Sequence, residues 1–127
     1  MNFNEISNKL KETFKTEVLN PNVLKLHTGA CFINGTPISL VIENKNNKMF
    51  LTDGKETLKY MNDLYDLKAS DVKMCITNVL KVYGFAISSG VIVTEITSLD
   101  LVVDKAFDMI MCIGQLANMF AFFDKPE

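Results

Sequence analysis

The sequence predicts an α+β fold in a single domain over residues 1–127, and three observations carry that prediction. Period-2 apolar stretches are separated by turn residues, most clearly at Asn34-Gly35. Stretches with three- and four-residue apolar spacing lie before and after them, one closing on Gly84. At residues 48–58 a strand pattern runs straight into a helix pattern. There Asp53, followed three residues later by Glu56, has the spacing of a capping box, in which one side chain serves free amides of the first turn and the other reaches back.

Taken in order, Asn4 or Asn2 can cap a first helix whose Phe3, Ile6, Leu10 and Phe14 form one buried stripe, with Asn20-Pro21-Asn22 ending it. Leu24, Leu26, Thr28, Ala30 and Phe32 then alternate with Lys25, His27, Gly29, Cys31 and Ile33 as a strand does. Asn34-Gly35 predicts a two-residue hairpin turn, and residues 38–43 return antiparallel. A turn at residues 44–47 delivers the chain to the strand at 48–52, giving a three-stranded meander. A second helix places Leu58, Met61 and Tyr65 on one face and ends near Leu64. Ser70 caps a third, in which Val72, Ile76, Val79, Leu80 and Tyr83 keep helical spacing. Residues 85–87 and 91–94 flank Ser88-Ser89-Gly90 as a second hairpin, and Ser98 caps a long last helix running to about Phe122. The predicted order is α-β-β-β-α-α-β-β-α, a meander plus a hairpin packed by four helices.

That last helix is the most apolar part of the chain. Asp100, Asp104, Lys105 and Asp108 give its first half a polar face, whereas from Met109 to Phe123 only Gln115 and Asn118 are polar. A helix apolar nearly all round serves its own core and a partner as well, so Met109, Ile113 and Phe120 are expected at a homodimer or larger homo-oligomer interface. The run of about fifteen residues is short of the roughly 20 that span a bilayer, so no membrane span is expected.

A 127-residue chain is long enough to bury a core without staples. Its start, Met1-Asn2-Phe3-Asn4-Glu5, lacks the basic and then apolar shape of a signal peptide, which points to the cytoplasm. Cys31, Cys75 and Cys112 are spaced for neither a disulfide framework nor a metal-ligand pair and are expected as reduced, mostly buried thiols. Net charge is −2, with the acidic excess in the C-terminal half. All 13 basic residues are lysine, and the absence of arginine speaks against a phosphate clamp or base-specific nucleic-acid recognition.

The segment Leu51-Thr52-Asp53-Gly54-Lys55-Glu56-Thr57-Leu58 resembles the L-T-D-D-G-x-T-L signature of a family of small bacterial and prophage-encoded domains of unknown function. Val79-Leu80-Lys81-Val82-Tyr83-Gly84-Phe85 and the hairpin ending Ser89-Gly90-Val91-Ile92-Val93 fall where that family also has a helix ending in aromatic-Gly and then a hairpin. Gly54 stands where the family has a second Asp, and Lys55 where it has Gly. The resemblance, over about residues 3–115, implies a mobile-element setting and a host-interaction role more than a reaction.

The candidate sites follow. Thr52, Asp53 and Glu56 form a polar strand-helix junction, read first as helix capping. His27 and Cys31, four apart on a strand, are about 13 Å apart by the rise per residue, too far for a thiolate-imidazole pair. Asp100, Asp104 and Asp108 repeat every four residues on one helix face, as a solvated face or as an acidic strip that binds a partner. No residue set marks a catalytic constellation, metal site or cofactor. The leading expectation is a non-enzymatic interaction protein binding a host or phage protein, in one version as an inhibitor of a defence enzyme. The alternatives are a small metal-dependent hydrolase or nuclease-related domain using Asp53 and Glu56, and a nucleic-acid-binding accessory protein using the lysines of the first helix.

Overall fold

The computed structural model describes residues 1–119. It is α+β, with α1 (Phe3–Lys11), β1 (Lys15–Asn20), β2 (Val23–Cys31), β3 (Pro37–Lys45), β4 (Lys48–Thr52), α2 (Glu56–Asn62), α3 (Ser70–Tyr83), β5 (Ala86–Ser88), β6 (Val91–Ile96) and α4 (Val102–Ala117). The strands make one antiparallel six-stranded sheet in the order β1-β2-β3-β4-β6-β5. The second hairpin therefore joins the main sheet, with β6 seated on β4 from Met49↔Ile96 to Thr52↔Val93.

The expected three-stranded meander has a fourth strand. Residues 15–20, assigned above to the first helix, are the edge strand β1, paired with β2 from Lys15↔His27 to Asn20↔Val23. The helix stops at Lys11, and the amides of Thr13 and Phe14 share the Leu10 carbonyl in its last turn. Phe14 still reaches the core from just beyond the helix, which is why its spacing fitted the helical stripe. Val18 and Leu19 are both exposed at this edge, so β1 lacks the alternation that identifies a half-buried strand.

Turn chemistry explains the remaining differences. The Asn34-Gly35 hairpin closes through Gly35 N to Phe32 O at 2.8 Å and Phe32 N to Thr36 O at 2.8 Å, a three-residue loop with Gly35 at φ +88°, in place of the two-residue turn expected. Asn46 and Asn47, at φ 52° and 64°, form the tight turn between β3 and β4. Asn2 caps α1, its Oδ1 accepting from Glu5 N at 2.9 Å. α2 ends at Asn62, two residues short of Leu64. Ala69, whose side chain makes no cap, precedes α3, and Ser70 is its first helical residue. Ser98 likewise makes no side-chain cap: residues Leu99–Leu101 form a 3-10 turn and α4 begins at Val102. α4 ends at Ala117, with Asn118 closing it at φ −100°, short of the Phe122 expected; residues 120–127 lie outside the described residues.

The helices cover one face of the sheet. Leu24, Leu26, Leu40, Ile42, Leu51 and Ile92 point into that face and are fully buried, while their neighbours Lys25, Val41, Phe50 and Val93 on the other face are half-buried. α4 packs against α1, α2 and α3 and carries Val102, Ala106, Met109, Ile113 and Leu116 into the core. Leu51→Ala is expected to cost about 2–5 kcal/mol, whereas Ile33→Ser in the exposed loop stays within about 0.5 kcal/mol; urea unfolding of the two variants checks the layer assignment.

Candidate functional site

The junction singled out in the sequence is held by one side chain. Asp53 follows the last residue of β4 and is only 1% exposed. Its Oδ1 accepts from Lys55 N at 3.1 Å and from Ile92 N at 3.0 Å, and its Oδ2 accepts from Thr57 N at 3.2 Å. Its own amide donates to Ile92 O at 3.2 Å. Asp53 thus continues the β4–β6 ladder by one step, using its carboxylate where the backbone has turned away. Thr52 assists locally, its Oγ1 accepting from Gly54 N at 3.2 Å.

The capping function is present in altered form. Gly54 and Lys55 both adopt positive φ, +66° and +73°, which lengthens the turn so that Lys55 occupies the cap position of α2 while Asp53 still serves Thr57 N. Glu56 is exposed and its carboxylate makes no hydrogen bond back to Asp53, so the reciprocal half of the box is missing. A left-handed lysine costs roughly 1–2 kcal/mol, a strain that glycine at that position would not carry. Asp53, Glu56, Lys25 and Ser39 border one depression of about 370 Å³, but both Asp53 oxygens are already occupied by main-chain donors.

Beneath the junction lies Cys112 of α4, fully buried, its thiol pushed up to about 12 from an ordinary 9.0 by burial first and by the Asp53 charge second. It stays a neutral thiol and behaves as a small hydrophobe. Cys75 is half-buried and Cys31 is exposed, against the expectation of mostly buried thiols. Thr57 Oγ1 is buried beside this cluster without a hydrogen-bond partner among the described residues. His27 faces Glu17 at 3.6 Å, an exposed pair across β1 and β2.

The acidic strip and the apolar helix meet differently from the expectation. Asp100 lies in the 3-10 turn, and only Asp104 and Asp108 share α4. Met109 and Ile113 face the protein's own core and are buried, which removes both from the outward surface; Phe120 lies outside the described residues. The outward stripe carries Asp104, Asp108, Met111 and Gln115, spaced i, i+4, i+7 and i+11, with Phe107 beside it. Extending the Asp104–Asp108 face by 3.6 residues per turn leads to Met111 and Gln115, so the signal was present in the sequence.

Met111 is 59% exposed and borders a groove of about 760 Å³ between α3 and α4, with Cys75, Val79, Gly114 and Gln115 along its sides. The two helices run antiparallel: Lys105 near the start of α4 sits 5.9 Å over the Phe85 ring just past α3, while Cys75 near the start of α3 shares the groove with Asn118. A Cβ on Gly114 would meet nothing within 4 Å among the described residues. Among the described residues no three His, Cys, Asp or Glu side chains are grouped as they would be to hold a metal ion, and no helix is long and apolar enough to cross a membrane. Comparison of the chain with protein-family models, curated proteins and solved structures gives no match in any of the three.

Two predictions follow from the junction and its thiol. Asp53→Asn is expected to lower stability by about 2 kcal/mol, because three amides lose a charged acceptor, whereas Glu56→Gln stays within about 0.5 kcal/mol; thermal unfolding compares them. The folded Cys112 thiol ionises above its unfolded value, so the stability it contributes is complete below pH 9 and is lost as pH rises toward 12. The stability gap between the natural chain and Cys112→Ala should therefore narrow above pH 9 in urea titrations.

Proposed function

We propose that this chain is a protein-interaction domain whose docking face is the α3–α4 groove, with a second copy of the chain as its occupant. The groove is the observation that carries this reading. It is mostly apolar and flanked by the exposed Met111, an arrangement that is costly to leave in water. Gly114 adds to the case. Glycine inside a helix costs about 0.5–1 kcal/mol relative to alanine, and none of the described residues occupies the space a Cβ would take. Close approach of another backbone gives that position a reason to be glycine.

A two-fold axis near Gly114 would cross two α4 helices antiparallel. The Asp104 and Asp108 carboxylates of the two copies then lie at opposite ends of the contact, and Met111 of each copy enters the other's groove. The alternative occupant is a host or phage protein, the setting implied by the resemblance of residues 51–58. What favours it is the continuity of Asp104, Asp108, Met111 and Gln115, which fits a partner segment with basic side chains followed by apolar ones.

The natural chain is expected to run as a dimer at micromolar concentration in light scattering. Met111→Asp and Gly114→Leu should each give a folded monomer, because both side chains point away from the core. A monomeric natural chain overturns self-association. Serine at Asp100, Asp104 and Asp108 should leave the dimer intact and abolish salt-sensitive binding of a basic partner protein.

A further inference from the structure

A second concavity lies on the opposite layer, on the helix-free face of the sheet, where β3, β4 and β6 meet the β5–β6 turn. It encloses about 480 Å³, within the size range of small-ligand pockets. Phe50, Val91 and Val93 supply an apolar floor, half-buried with no helix of the described residues covering it. Ser88 and Ser89 bring hydroxyls to the rim. Lys45 is paired with Glu43 at 3.1 Å, and Glu95, opposite Phe50 on β6, is a neighbouring acid outside the lining. Lys55 lines the same concavity and makes no ion pair with any described residue.

The backbone of Lys55 is the second observation. At φ +73° it occupies a conformation that favours glycine, and its side chain caps nothing in α2. The fold gains nothing from lysine here and loses stability by it. Strain retained at a position whose side chain reaches a cavity is a mark of a binding role. A free ammonium beside a flat apolar floor and hydroxyl donors recognises an anionic group joined to a ring.

We propose that this concavity binds a small aromatic anion, a ring bearing a carboxylate, sulfonate or phosphate ester, with the anionic group against Lys55 and the ring on Phe50, Val91 and Val93. The site is separate from the α3–α4 groove and independent of self-association.

The test is an NMR titration of the isotope-labelled full chain with 8-anilinonaphthalene-1-sulfonate, and in parallel with uncharged N-phenyl-1-naphthylamine. The anion should give saturable single-site shifts at the amides of residues 50–55 and 88–93, with the uncharged probe about tenfold weaker. Lys55→Gln should weaken the anion by about the same factor with the fold unchanged. Lys55→Gly should weaken it equally while raising the melting temperature, because the strain is released. Equal binding of both probes, unchanged affinity in either variant, or shifts confined to Cys75, Val79 and Met111 would overturn the proposal.

Discussion

The structure depends on a buried carboxylate placed where a strand ends. When the chain leaves the sheet after Thr52, the next amide on β6, that of Ile92, loses the carbonyl that would have received it. Buried main-chain donors without acceptors are costly, and Asp53 supplies the oxygen. Because the same carboxylate also receives the amides of Lys55 and Thr57, the start of α2 is fixed to β6 across 39 residues of sequence. The charge is tolerated in the interior because its ligands are three aligned donors, and Cys112 beside it stays neutral.

How much of this was legible in the sequence varies with the range of the interaction that decides each element. The first two turns of α1, with Asn2 as one of its two candidate caps, the β2–β3–β4 meander, α3 and the left-handed Gly84 at its end are set by local periodicity and turn residues and are legible in the sequence, whereas the end of α1 at Lys11 is not. Nor is β1, because an edge strand with Val18 and Leu19 both in water carries no alternation. Asp53 was recognised as a helix-start residue, but its bond to Ile92 is a long-range fact with no local trace. Met109 and Ile113, expected at an outward interface, face inward, because a run apolar on all sides hides its own phase. The polar residues before the run, Asp104 and Asp108, hold the phase that Met111 and Gln115 continue.

A two-layer arrangement leaves two kinds of surface with different physics. On the helical side, α4 is gripped by three other helices and turns one stripe outward, with the acids Asp104 and Asp108 at one end of it. On the sheet side, cross-strand neighbours such as Glu43, Phe50 and Glu95 are fixed by register, and side chains stand at set intervals over a firm base. Helix-against-helix contact suits a macromolecule, while a rigid floor with a few polar groups at its rim suits something small.

The strand order also sets a timetable. β6 lies between β4 and β5, and its residues are synthesised only after α2 and α3. α4, which roofs the core, is made later still. Until then the meander can form its hairpins, but Leu24, Leu26, Leu40 and Ile42 are covered only in part, by the apolar residues of α1, α2 and α3, without Val102, Met109, Ile113 and Leu116 of α4. Nonlocal pairing of this kind is slow, and uncovered apolar strands attract other chains in the interval. During translation the nascent protein therefore passes through a stage in which its sheet is only partly roofed, and that stage ends when residues 91–117 clear the ribosome.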